Sequence, residues 1–87
     1  MVETRPRLTL LSRGYCHLCD DMRVVVEAIR PEFGFELDIL DVDADEELER
    51  RFGEDVPVLL HDGHEIARHR LDADVLRSYL AQVRGEI

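Results

Sequence analysis

The stretch Arg13-Gly14-Tyr15-Cys16-His17-Leu18-Cys19 holds both cysteines of the chain, follows an apolar run and opens a helical pattern. Two thiols separated by two residues at a strand-to-helix junction read first as a dithiol redox pair. The short spacing lets a disulfide close with little backbone movement. A helix beginning at this point also supplies unpaired N–H groups and the positive end of its dipole, both of which favour a thiolate. Cys16 is therefore the expected nucleophile.

Working outward, the run Arg7 to Ser12, with Leu8, Leu10 and Leu11, reads as a mostly buried strand that Gly14 interrupts. From Leu18 onward, Met22, Val25, Val26 and Ile29 recur at helical spacing, and Pro31 with Gly34 predicts a helix end near Arg30. Phe33, Phe35, Leu37 and Ile39 alternate with Glu36 and Asp38, the period of a second strand reaching to about Val42. Asp43 followed by Glu46 predicts a helix cap, with Ala44, Leu48 and Phe52 on one face and Gly53 closing the helix.

Val56-Pro57-Val58-Leu59-Leu60 forms the expected third strand. The Asp62-Gly63 turn leads into a fourth around Glu65 to Arg68, completing a hairpin. Asp72 can cap a last helix whose inner face is Val75, Leu76, Tyr79, Leu80 and Val83, with Gly85 just past its end. The order β-α-β-α-β-β-α implies a right-handed crossover and an α/β fold with a four-stranded mixed sheet of order 2-1-3-4 and helices on both faces. A chain of 87 residues supports one core, so residues 1–87 are read as a single domain.

Composition narrows the chemistry. Charged residues make up 36% of the chain and its formal net charge is -9, which disfavours nucleic acid and anionic membranes as partners. All 11 cationic side chains are Arg, so no lysine amine is available for Schiff-base chemistry. Glu3, Arg5 and Arg7 precede only a short apolar run, so no membrane span or signal peptide is expected. A bridge closing so short a loop would be a weak structural staple, which favours a cytoplasmic dithiol.

Other clusters have plainer readings. His61, His64 and His69 accompany the cysteines, but their spacing is unlike a zinc finger and no metal is expected. The acidic segment Asp41 to Glu47 suits a helix start, where the dipole stabilises negative charge without an ion. Arg68, His69 and Arg70 form a small basic island that reads as a solvated strand end, the alternative being a contact for an acidic partner.

Over essentially its whole length the chain resembles the glutaredoxin branch of the thioredoxin-like superfamily. The resemblance rests on Cys16-x-x-Cys19 at the first strand-helix junction and on Val56-Pro57 opening the third strand. More narrowly, Leu10, Arg13, Cys16-His17-Leu18-Cys19, Asp41-Val42-Asp43, Glu47-Leu48 and Phe52-Gly53-x-x-Val56-Pro57-Val58-Leu59 are similar to a set of small, mostly bacterial glutaredoxin-like proteins. The resemblance implies a thioredoxin-like, glutaredoxin-type fold and a thiol–disulfide oxidoreductase concerned with cell redox homeostasis, Cys16 attacking and Cys19 resolving. It gives Pro57 as a cis-proline and the Val56 backbone as a substrate-pairing edge. It also gives Arg13 as a basic residue steadying the thiolate and meeting a glutathione carboxylate. Tyr15 and His17, beside Cys16, complete the expected substrate-binding set.

Two departures stand out. His17-Leu18 replaces the family's usual Pro-Tyr between the cysteines, and Ala67 to Asp72 stand where the family has a Gly-Gly turn for the γ-glutamyl end of glutathione. No cofactor is expected to be bound; with the Gly-Gly turn missing, glutathione is one candidate reductant or co-substrate and another reductant is the alternative. The expected partners are protein or small-molecule disulfides, met by a cytoplasmic monomer. The alternative is a redox-silent thioredoxin-fold binding module that recognises a protein partner.

Overall fold

In a computed structural model, residues 5–85 are described. Glu3, among the amino-terminal charges, and the outermost residues of the domain read as 1–87 lie outside them. The elements are β1 (Arg7–Ser12), α1 (His17–Phe33), β2 (Glu36–Asp41), a 3-10 turn (Val42–Ala44), α2 (Glu46–Phe52), β3 (Val58–His61), β4 (His64–Arg68) and α3 (Ala73–Arg84). The sheet has the expected order β2-β1-β3-β4, with β1 parallel to β2 and antiparallel to β3, and β3 antiparallel to β4.

Alternation along the strands divides the core between the two sheet faces. Leu8, Leu10, Phe35 and Leu59 pack with Met22, Val26 and Ile29 of α1 and Leu76 and Leu80 of α3. On the opposite face Leu11, Val42 and Val58 pack with Leu48 and Phe52 of α2. Every residue of these two sets other than Leu48 and Phe52 is buried. Among the described residues no helix is long and apolar enough to cross a membrane.

Four boundaries differ from the expectation. Helix α1 runs past Arg30 through Pro31 to Phe33, because Gly34 adopts the left-handed conformation (φ 70°) and its N–H donates to the Arg30 carbonyl at 2.7 Å. Pro31 falls in the last turn, where its missing donor costs one bond. Phe33 thus belongs to the helix, and β2 spans only Glu36–Asp41. Asp43 is not the cap of α2. Asp45 is, accepting hydrogen bonds from the Glu47 and Leu48 N–H groups at 2.9 and 3.1 Å, while Asp41 caps the intervening turn. Val56 and Pro57 precede β3, which starts at Val58.

Candidate active site

Strand register gathers the candidate residues at one end of the sheet. Leu11 pairs with Val58, Ser12 with Asp41, and Val58 with Arg68. The segments Arg13–Tyr15, Val42–Asp45, Asp55–Pro57 and His69–Asp72 therefore leave the sheet at the same edge, beyond the carboxyl ends of the two parallel strands. In open α/β sheets that is where ligands bind. The amino ends of α1 and α3 lie at this edge as well.

Cys16 is the N-cap of α1, with extended backbone angles and a half-buried side chain. Its Sγ accepts a hydrogen bond from the Cys19 N–H at 3.1 Å, and its carbonyl accepts from Asp20 N–H at 3.1 Å. An N–H aimed at this sulfur is the arrangement that stabilises a thiolate. Cys16 and Cys19 are joined in a disulfide with Cα atoms 5.2 Å apart, within the ordinary range. Cys19 is only 4% exposed, so the two sulfurs are unequal in access.

The neighbours of the dithiol fall into two groups. Tyr15 is fully exposed and left-handed (φ 58°), a conformation uncommon for an aromatic residue, and His17 is exposed at the first position of α1. The Val56-Pro57 bond is cis, Pro57 is buried, and its carbonyl accepts from His69 N–H at 2.8 Å. These four lie at this end of the sheet. Arg13 reaches it too, but its guanidinium turns to Glu49 at 2.6 Å and Asp43 at 2.9 Å. The hydrogen bonds it donates to Glu49 first and Asp43 second hold the guanidinium pKa above the ordinary arginine value. The contacts of Arg13 thus describe a brace between the cysteine loop and α2.

The histidines separate. His61 and His64 meet the Tyr79 ring at the far end of the hairpin, with His61 Nδ1 hydrogen-bonded to the Tyr79 hydroxyl. Burial and then Asp62 push the Tyr79 phenol up, which keeps that hydroxyl protonated. His69 lies at the near end instead, with Nε2 4.0 Å from Asp55. The role of its backbone in fixing the cis-proline edge was not visible in sequence. The only signal was the Arg68-His69-Arg70 island, which gives no hint of a left-handed residue at its centre.

Residues 7–81 match the glutaredoxin-like domain family (DUF836). The chain belongs to that family. The glutaredoxin-like chain is 34% identical over 85 residues to an uncharacterized protein of Mycobacterium tuberculosis, covering 86% of this chain and 88% of that one. Protein XcR50 of X. campestris is similar at 37% identity and TM-score 0.68, over 86% of this chain and 96% of its own. Protein Ne2328 of Nitrosomonas europaea is similar at 30% identity and TM-score 0.78, over 91% and 95%. A thioredoxin mutant of Halobacterium salinarum, 24% identical with TM-score 0.64 over 88% and 73%, shares the fold. A glutaredoxin-like thioredoxin fold with a C-x-x-C pair supports thiol redox chemistry.

Proposed function

We propose that the glutaredoxin-like chain is a small thiol–disulfide oxidoreductase acting on protein or small-molecule disulfides. The observation that carries this reading is the asymmetry of the pair: a half-buried Cys16 sulfur facing an N–H at the helix cap, bonded to a Cys19 that is 4% exposed. In the reduced protein the Cys16 thiolate attacks one sulfur of a substrate disulfide and the other sulfur leaves as a thiolate that takes a proton. Cys19, deprotonated, then attacks Cys16 Sγ. The second substrate thiol departs, the Cys16–Cys19 disulfide forms, and two electrons have passed from protein to substrate.

An external thiol must return those electrons. In this reading two molecules of glutathione, or one dithiol reductant, reduce the Cys16–Cys19 bond, and the protein works as a monomer in a bacterial cytoplasm. Tyr15, His17, Val56 and Pro57 bound the exposed side of Cys16 and receive the substrate, the Val56 backbone supplying an edge for an extended chain.

Competitive alkylation of the reduced protein, followed by peptide mass analysis, tests the assignment. Cys16 should be labelled well before Cys19. Preferential labelling of Cys19 contradicts it. Equilibration in glutathione redox buffers then identifies the reductant, because a Cys19→Ser variant carries a single glutathione adduct only if glutathione reaches Cys16.

A further inference from the structure

Beside the dithiol lies an open groove of about 340 Å3 between α1 and the β4–α3 connection, lined by Leu18, Asp21, Met22, Val25 and His69–Asp72. Its aliphatic lining comes from Leu18, Met22 and Val25 of α1 and from Leu71 opposite. Leu18 is the residue before Cys19, so the groove adjoins the reacting pair. A volume of this size suits one or two side chains rather than a large cofactor.

The charges on its rim are not equivalent. Among the described residues most arginines of this acidic chain are engaged: Arg5, Arg7, Arg13, Arg30, Arg50, Arg68 and Arg77 all meet carboxylates. Within the basic island Arg68 is held by Glu65 and Asp55, and His69 faces Asp55. Arg70 is exposed on the groove and meets no carboxylate among the described residues. Of the carboxylates there, Asp72 is committed to capping α3 through Asp74 N–H at 2.8 Å, and Asp21 belongs to the opposite rim.

The backbone holds Arg70 in this position. Arg70 N–H donates to the Arg68 carbonyl at 2.7 Å around His69, whose φ is 67°, a tight three-residue turn of the strained kind. The His69 N–H is meanwhile bonded to the Pro57 carbonyl. One strained residue thus ties the cis-proline edge to the guanidinium that follows it.

We infer that this groove selects disulfides borne on acidic polypeptide segments: an apolar side chain beside the substrate half-cystine fills the pocket, and a neighbouring carboxylate pairs with Arg70. The inference rests on the oxidoreductase reading and deepens it. The preference runs against the net charge of the whole chain, and it operates because exposed distant charges are screened over about 8 Å at physiological salt while a contact pair is not.

The test uses the full chain carrying Cys19→Ser and peptides of sequence Glu-Leu-Cys-Leu-Glu, whose cysteine is capped as a 2-thiopyridyl disulfide. Attack by the Cys16 thiolate on the peptide sulfur forms the mixed disulfide and releases 2-thiopyridone, read by absorbance. The glutamate peptide should react about fivefold faster than its glutamine counterpart, the scale of one exposed charge pair. Adding Arg70→Glu should bring that ratio to one or below. Arg23→Glu makes the same charge change at an exposed α1 residue outside the groove and should leave the ratio intact. Replacing the leucines by serine should slow the reaction about fivefold. Equal rates for the glutamate and glutamine peptides, or equal effects of the two arginine variants, overturn the inference alone. A Cys16 inert toward every peptide overturns the oxidoreductase reading and this inference with it.

Discussion

The Arg13 guanidinium donates to the Glu49 carboxylate at 2.6 Å across 36 positions of sequence, tying the loop that delivers Cys16 to helix α2. Gly53 makes the contact sterically feasible. A Cβ there would meet the Glu49 carbonyl oxygen at 2.5 Å and crowd its carboxylate. The requirement at Gly53 is for space rather than for an unusual backbone, since its φ is -53°.

Gly53→Ala should therefore destabilise the fold by about 1 to 3 kcal/mol through overpacking, although alanine is ordinarily the better helix former. Urea unfolding measures this. The same variant should shift the amide signals of Arg13 to Cys16 in NMR spectra. A neutral or stabilising effect would show that Glu49 moves aside without consequence.

Asp45, rather than Asp43, caps α2, so Asp45→Ala should cost about 1 kcal/mol through two orphaned N–H groups. Asp45→Asn should recover most of that loss, because an amide oxygen still caps. Failure of asparagine to rescue would place the effect of Asp45 in its charge.

Glu32 of α1 receives a hydrogen bond from Arg77 of α3, which holds its carboxyl below the ordinary value of 4.5. Arg68 acts likewise on Glu65. A depressed carboxylate stabilises the fold above its unfolded value, and that stability disappears as the pH falls through the lower folded value. The Tm advantage of wild type over Glu32→Gln should thus be constant above about pH 6 and shrink progressively below the ordinary value of 4.5. An advantage that grows on acidification contradicts the pairing.

The Tyr79 hydroxyl meets His61 Nδ1 in a half-buried setting, where an unmet partner is costly. Tyr79→Phe should destabilise by about 1 kcal/mol while leaving disulfide exchange at Cys16 unaltered, since the pair lies at the opposite end of β3 from Pro57. Chemical denaturation and a thiol-exchange assay on one preparation test both parts.

Much of the architecture was legible because strong periodic patterns agreed with strong punctuation. The Cys16 junction, the Asp62-Gly63 turn and the apolar faces of α1 and α3 each carried redundant signals, and together they determine the sheet order. The boundary near Pro31 misled because proline is tolerated in a last turn that a left-handed glycine closes. Three aspartates at alternate positions, Asp41, Asp43 and Asp45, offered equivalent local caps, and only the burial of Val42 against Leu11 and Val58 selects among them. The contacts of Arg13 and the turn at His69 depend on partners distant in sequence, so no local pattern announces them.

Single-turnover reaction of the reduced protein with a small disulfide substrate, quenched in acid and read by intact mass, tests the central claim most directly. Wild type should pass to the Cys16–Cys19 disulfide, Cys19→Ser should stop at one mixed disulfide mapped to Cys16, and Cys16→Ser should react at least tenfold more slowly. If Cys16→Ser reacts as fast as wild type, or if reduced wild type stays unmodified in excess disulfide, the oxidoreductase account fails and a binding module becomes the working description.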